Sequence, residues 1–216
     1  MDYAAARYNM IESQLRPNKV TDAAVLDAMA TLSRERFVPD GMRSVAYVDE
    51  DIPVGSGRYL MEPMVLARLL QLAAVNSGDA ALVVGAATGY TVAVMARLAG
   101  RVIALESDPQ LAANAKEALA SLGVGNVVIV EGPLTAGAPR QAPYDVIVLD
   151  GSVDEIPAHI IEQLGEGGRL VAVRNTDRIG RATLLTRSRG VVAGRSTFDA
   201  AVPRLPGFEA VPVFSF

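Results

Sequence analysis

From about residue 80 onward the chain alternates short, continuous apolar runs with stretches of helical spacing, and this alternation constrains the fold more than any other feature. The runs are Ala81 to Val84, Val102 to Leu105, Val127 to Val130, Val146 to Leu149 and Arg169 to Val173. Each has the length of a strand and is apolar at successive positions, as a strand covered on both faces must be. Between them lie helical segments at 91–99, at 109–122 with Asp108 as its cap, and at 157–164. Apolar runs alternating with helices predict a doubly wound, mostly parallel, Rossmann-like α/β sheet with ligand chemistry at the carboxyl ends of its strands.

The flanks read differently. Residues 1–60 predict a mainly helical N-terminal extension: Asp22 caps a helix with Val25, Leu26, Met29 and Leu32 on one face, and Pro39 ends the following segment Arg34 to Val38. A turn-rich stretch, Asp51 to Arg58, precedes a helix opened by Pro63 that turns Val65, Leu66, Leu69, Leu70 and Ala73 inward. The tail from Leu184 to Phe216 is rich in β-branched residues, glycine and proline and predicts antiparallel edge strands. The 216 residues are expected to form a single domain, with residues 61–216 as its α/β core.

Composition removes several function classes. Half the residues are hydrophobic, which excludes a disordered chain. No cysteine is present and His159 is the single histidine, so thiol catalysis, disulfides and a histidine-rich zinc site fall away, and no metal is expected. A net charge of −4 and a pI near 5.1 argue against nucleic-acid binding. There is no basic-then-apolar leader and no apolar run of about 18 residues, so the expected setting is the cytoplasm rather than a membrane.

The strongest chemical signal is Val83-Val84-Gly85-Ala86-Ala87-Thr88-Gly89-Tyr90, a glycine turn between the first buried strand and a helix. Such a turn brings backbone amides and a helix N-terminus close to an anionic ligand group. Glu106, twenty-one positions past Gly85 and at the end of the next strand, can accept hydrogen bonds from both ribose hydroxyls. A plain tight turn with a solvated glutamate is the alternative. Gly85 and Gly89 are separated by three residues, unlike the G-x-G-x-x-G of dinucleotide oxidoreductases. The spacing matches the G-x-G-x-G loop of S-adenosylmethionine methyltransferases with Ala87 in the middle. Asp150, ending the fourth strand, stands where an acid would face the methionine part of that cofactor, or serves as an ordinary strand-end aspartate.

At this point the chain resembles the protein-L-isoaspartate O-methyltransferase family, from about residue 9 to residue 173. The likeness rests on Met10-Ile11-Glu12-Ser13-Gln14-Leu15, Val25-Leu26-Asp27-Ala28-Met29, Arg34-Glu35-Arg36-Phe37-Val38-Pro39, Asp51-Ile52-Pro53-Val54-Gly55, Ala142-Pro143-Tyr144-Asp145 and Gly167-Gly168-Arg169-Leu170-Val171. The resemblance implies a class I methyltransferase fold, S-adenosylmethionine as cofactor, and esterification of a carboxylate on isomerised aspartates of damaged proteins. It implies cofactor contacts at Gly85, Ala87, Gly89, Glu106, Gly132, Leu134 and Asp150. The acceptor, a protein or peptide carboxylate, would meet Tyr59, Leu60, Met61 and Pro63.

Three departures fall on this face. Met61 stands where the family has a serine, and a thioether donates no hydrogen bond. Glu62 beside it adds a negative charge where a carboxylate should arrive. The acid before the glycines is Val83 and the middle glycine is Ala87. In place of the family's Gly-Asp-Gly the chain has Gly132-Pro133-Leu134, with Glu131 one residue away. Two lost hydrogen bonds would weaken cofactor binding by about one to two orders of magnitude. Two further readings follow: a relative that keeps the fold as a binding module, and, against the glycine spacing, a nicotinamide oxidoreductase.

Overall fold

A computed structural model describes residues 1–176 and 179–210. The chain begins with α1 (Tyr3–Asn9), capped by Asp2, whose carboxylate accepts the Ala5 amide. A π-helical turn, Met10–Leu15, sinks Met10, Ile11 and Leu15 into the core. Asp22 caps α2 (Ala23–Thr31) by accepting the Ala24 and Val25 amides. Two 3₁₀ turns follow, Arg34–Phe37 and Asp40–Val45.

The N-terminal extension is less helical than its sequence suggests. Asp51 to Arg58 contributes to a β-hairpin, β1 (Ile52–Gly55) and β2 (Arg58–Leu60), in which Gly55 faces Arg58. The two turn residues, Ser56 and Gly57, both take positive φ, as a two-residue hairpin of this twist requires. Period two then directs Ile52, Val54, Arg58 and Leu60 inward.

Pro63 opens α3 (Pro63–Ala73), and the α/β core follows as β3 (Ala80–Val84), α4 (Tyr90–Leu98), β4 (Arg101–Glu106), α5 (Pro109–Ser121), β5 (Val127–Glu131), β6 (Tyr144–Val153), α6 (Ala158–Ile161), β7 (Leu164–Thr176), β8 (Ile179–Ser188) and β9 (Val191–Asp199). The sheet order is β5-β4-β3-β6-β7-β8-β9. Its first five strands run parallel, while β8 and β9 add antiparallel at one edge. Alternate residues face opposite sides: Val83, Ala104 and Val148 meet the helices of the N-terminal half, and Leu82, Ile103 and Ile147 join a second core with Leu134, Tyr144 and Ile160. Both faces are thus apolar, which explains the unbroken runs in the sequence.

The expected helix at 157–164 shortens to α6, because Leu164 is already paired with Tyr144 as the start of β7. Gln163 turns inward instead, accepting the Ala138 amide and donating to the Ala136 carbonyl. Antiparallel edge strands occur where the tail predicts them; residues 211–216 of that expectation lie outside the described residues. Among the described residues no helix is long and apolar enough to cross a membrane.

Candidate active site

The carboxyl ends of β3, β4 and β6 meet where the strand order reverses, with β4 on one side of β3 and β6 on the other, the place where such sheets hold ligands. After β3 the chain turns through Gly85, Ala87 and Gly89, all at positive φ. Gly85 and Ala86 donate their amides to the Leu105 carbonyl, which pins the turn against β4. The methyl group of Ala87 is buried, and its backbone sits at φ +47°, a conformation that costs a residue with a Cβ about 1–2 kcal/mol. At Gly89 the turn passes close to α5: a Cβ there would lie 3.1 Å from that of Ala115.

Glu106 ends β4 with its carboxylate fully buried. It accepts the amides of Ala87 at 2.7 Å, Ser107 at 2.8 Å and Asp108 at 3.1 Å. It also accepts the Ser107 hydroxyl at 3.3 Å and pairs with Arg58, whose Nη1 lies 3.0 and 2.9 Å from the two carboxylate oxygens while Nη2 donates to the Gly85 carbonyl at 2.9 Å. Arg58 is itself only 4% exposed. The predicted ribose acceptor is therefore neither solvated nor free: a side chain of the hairpin holds it.

A segment near the C-terminus completes the enclosure. Leu205 is hydrogen-bonded by its amide to the Ser152 carbonyl, and Ser152 donates in turn to Pro203. A Cβ on Gly85 would come within 2.8 Å of Leu205 Cδ2, and one on Gly151 within 2.8 Å of its Cγ. What remains between Arg58, Tyr59, Met61, Asp150 and Leu205 is about 10 Å³. That is the room of about one water, against the several hundred Å³ of an ordinary ligand site. A groove of about 440 Å³ lies elsewhere, between Arg36–Asp40 and α5, and does not reach Glu106. The crevice as folded does not fit an adenosyl cofactor.

The other anticipated residues are distributed unevenly around this centre. Asp150 is buried at the wall of the small space, its Oδ1 has no hydrogen-bond partner among the described residues, and burial pushes its pKa up to about 6. The Gly132 amide donates to the Glu106 main-chain carbonyl, whereas Leu134 is packed in the second core. Glu131, next to the substituted Gly132-Pro133-Leu134, points to solvent and pairs with Lys116. On the acceptor side Tyr59 is partly exposed, Leu60, Met61 and Pro63 are buried, and Glu62 is half-buried. His159 is exposed and bonded to the Thr135 carbonyl, away from the crevice.

Three residues at this site escape a reading of the sequence for chemistry. Arg58 stood inside a turn-rich stretch, and only the inward period of the hairpin marks it. Arg34 lies fully buried beneath Met61, donating to the carbonyls of Ala46 at 2.7 Å and Met61 at 2.8 Å with its guanidinium over the Tyr90 ring. Its burial pulls its pKa down. Leu205 carried no signal, being one apolar residue in a proline-rich tail.

The reversal of strand order at β3, the glycine turn after it and the antiparallel strands at one edge define a class I methyltransferase fold. Among solved structures, one titled a protein-L-isoaspartate O-methyltransferase superposes with a TM-score of 0.81 at 26% identity, covering 93% of this chain and 66% of that one. Another, titled a putative protein-L-isoaspartate O-methyltransferase from Plasmodium falciparum in complex with S-adenosyl-L-homocysteine, gives 0.78 at 19% identity over 94% and 97% of the two chains. Residues 6–197 match the family described as Protein-L-isoaspartate(D-aspartate) O-methyltransferase. A curated relative from Anaeromyxobacter sp. is 44% identical over 76% of this chain and 68% of its own length, and one from Methanoculleus marisnigri is 40% identical over 77% and 76%. The chain belongs to this family of S-adenosylmethionine-dependent O-methyltransferases.

Proposed function

We propose that the chain is an O-methyltransferase acting on a carboxylate of a protein substrate, with the acceptor entering beside Tyr59 to Pro63. The observation that carries this reading is the family match over residues 6–197, within which the glycine turn at 85–89 and Glu106 stand at the carboxyl ends of β3 and β4. An acceptor carboxylate is ionised at neutral pH and needs no general base, which agrees with the distance of His159 from the crevice. Burial raises Glu62 to about 7, reinforced by the carboxylates of Asp51, Asp49 and Glu50. Near neutral pH a share of Glu62 is thus protonated, which reduces its repulsion of an incoming carboxylate.

The test is methyl incorporation from labelled S-adenosylmethionine into an isoaspartyl peptide and into heat-aged protein, with the normal aspartyl peptide as control. Incorporation into the isoaspartyl peptide alone supports isoaspartyl specificity, and Met61→Ser should raise it by supplying the missing hydroxyl. Incorporation only into aged protein keeps the activity and moves the acceptor elsewhere. The filled crevice is the single observation behind a second reading, a relative retained as a binding module; the family match favours the enzyme. No incorporation into any substrate, by the natural chain or by Arg58→Ala, while both melt cooperatively, would overturn the methyltransferase reading.

A further inference from the structure

We propose that Arg58 and Leu205 occupy the place of the adenosyl group, so that cofactor and Arg58 compete for the Glu106 carboxylate. The inference rests on the reading that an adenosyl ligand belongs in this crevice. A ribose presents two hydroxyl donors to a strand-end carboxylate. The Arg58 guanidinium presents Nη1 to both oxygens of Glu106 and Nη2 to the Gly85 carbonyl, so charge-assisted donors already stand where the ribose hydroxyls would donate. The pair is electrically neutral and buried on both sides, and three backbone amides and the Ser107 hydroxyl complete the carboxylate's partners.

Access by the ligand therefore has a defined sequence of requirements. Arg58 must leave Glu106, and the short hairpin that carries it turns on Ser56 and Gly57, where left-handed backbone already allows a tight reversal. Leu205 must lift from Gly85 and Gly151, which breaks its Ser152 main-chain bonds and loosens a segment that Asp154 also holds through Arg204, Phe208 and Ala210. Neither step disturbs the parallel strands. A ligand that binds only the opened state has its apparent affinity reduced by the fraction of molecules open.

Calorimetric titration with S-adenosyl-L-homocysteine separates this from a passive crevice. Relative to the natural chain, Arg58→Ala should bind at least tenfold tighter, and Leu205→Ala several-fold tighter. Adding Glu106→Gln to Arg58→Ala should remove the gain. Equal or weaker binding by Arg58→Ala, or no heat from either protein at millimolar ligand while both melt cooperatively, would overturn the proposal. Should Arg58→Ala fail to fold, Leu205→Ala decides alone: tighter binding supports competition, and unchanged binding refutes it. Failure of the methyltransferase reading is distinct, since it appears as absent methyl incorporation whatever the affinities.

Discussion

Glu62, the residue before α3, is half-buried, with its pKa raised to about 7 by burial first and then by Asp51, Asp49 and Glu50. In the unfolded chain a glutamate titrates near about 4.3. Between those values the native state holds more protons than the unfolded state, so stability falls as pH rises through the window and levels off above it. Glu62→Gln removes the dependence. Its melting temperature should exceed that of the natural chain at pH 8 and match it at pH 4; an equal difference at both pH values would show that the carboxylate is not the cause. Arg34 and Arg58 show the limit of sequence at this scale. Both are charged residues inside the core, and charge ordinarily marks a surface. What makes them buried is a set of main-chain carbonyls and one carboxylate supplied by distant elements, none visible along the chain.

Elements whose ends depend on their own residues were legible. Asp22 and Asp108 each accept two amides at the start of a helix, Pro63 and Pro109 sit at first helical positions, and all five apolar runs are strands of the sheet. Elements decided by a partner were not: α6 loses its last residues to the pairing of Leu164 with Tyr144, and the β1–β2 hairpin forms in a segment expected to be a turn within a helical region. The end of α3 is a third such case. Ala74 adopts φ +48° and is exposed, so its methyl group costs backbone strain without adding buried contact. Ala74→Gly should raise stability by about 0.5–1 kcal/mol, the strain relieved less the extra freedom of glycine in the unfolded chain. A urea midpoint that falls would show that the left-handed cap is not strained. Arg169 holds the same helix end from β7, donating to the carbonyls of Ala73 and Ala74 and pairing with Asp79 at 2.6 Å. Glycine at residue 74 leaves those bonds intact, because they use only main chain.

At the scale of the whole molecule, the crevice is shut by two pieces far apart in sequence, a hairpin before the sheet and a segment after it. The place of the glycine turn and Glu106 at the carboxyl ends of β3 and β4 was readable from the sequence; what fills the space beside them was not, because it depends on where residues 203–208 come to rest. Asp154 sets that position. Its carboxylate pairs with Arg204 at 3.0 Å and accepts the Ala210 amide, and its main-chain amide donates to Phe208. The Ala210 hydrogen bond, followed by Asn175 and Arg204, draws its pKa below the usual carboxylate range. A depressed native pKa stabilises above the unfolded value and is lost as pH falls through the native one, so acid weakens this anchor. Asp154→Ala should act the same way at neutral pH by releasing the segment without unfolding the sheet. Amide exchange at Leu205 and at Ser152, whose bonds join the segment to β6, should then quicken at least tenfold, while the amides of Leu82, Val83, Ile103 and Ala104 keep their protection. Equal acceleration at all six amides would mean that the segment and the sheet open together, and the crevice would have no local way to admit a ligand.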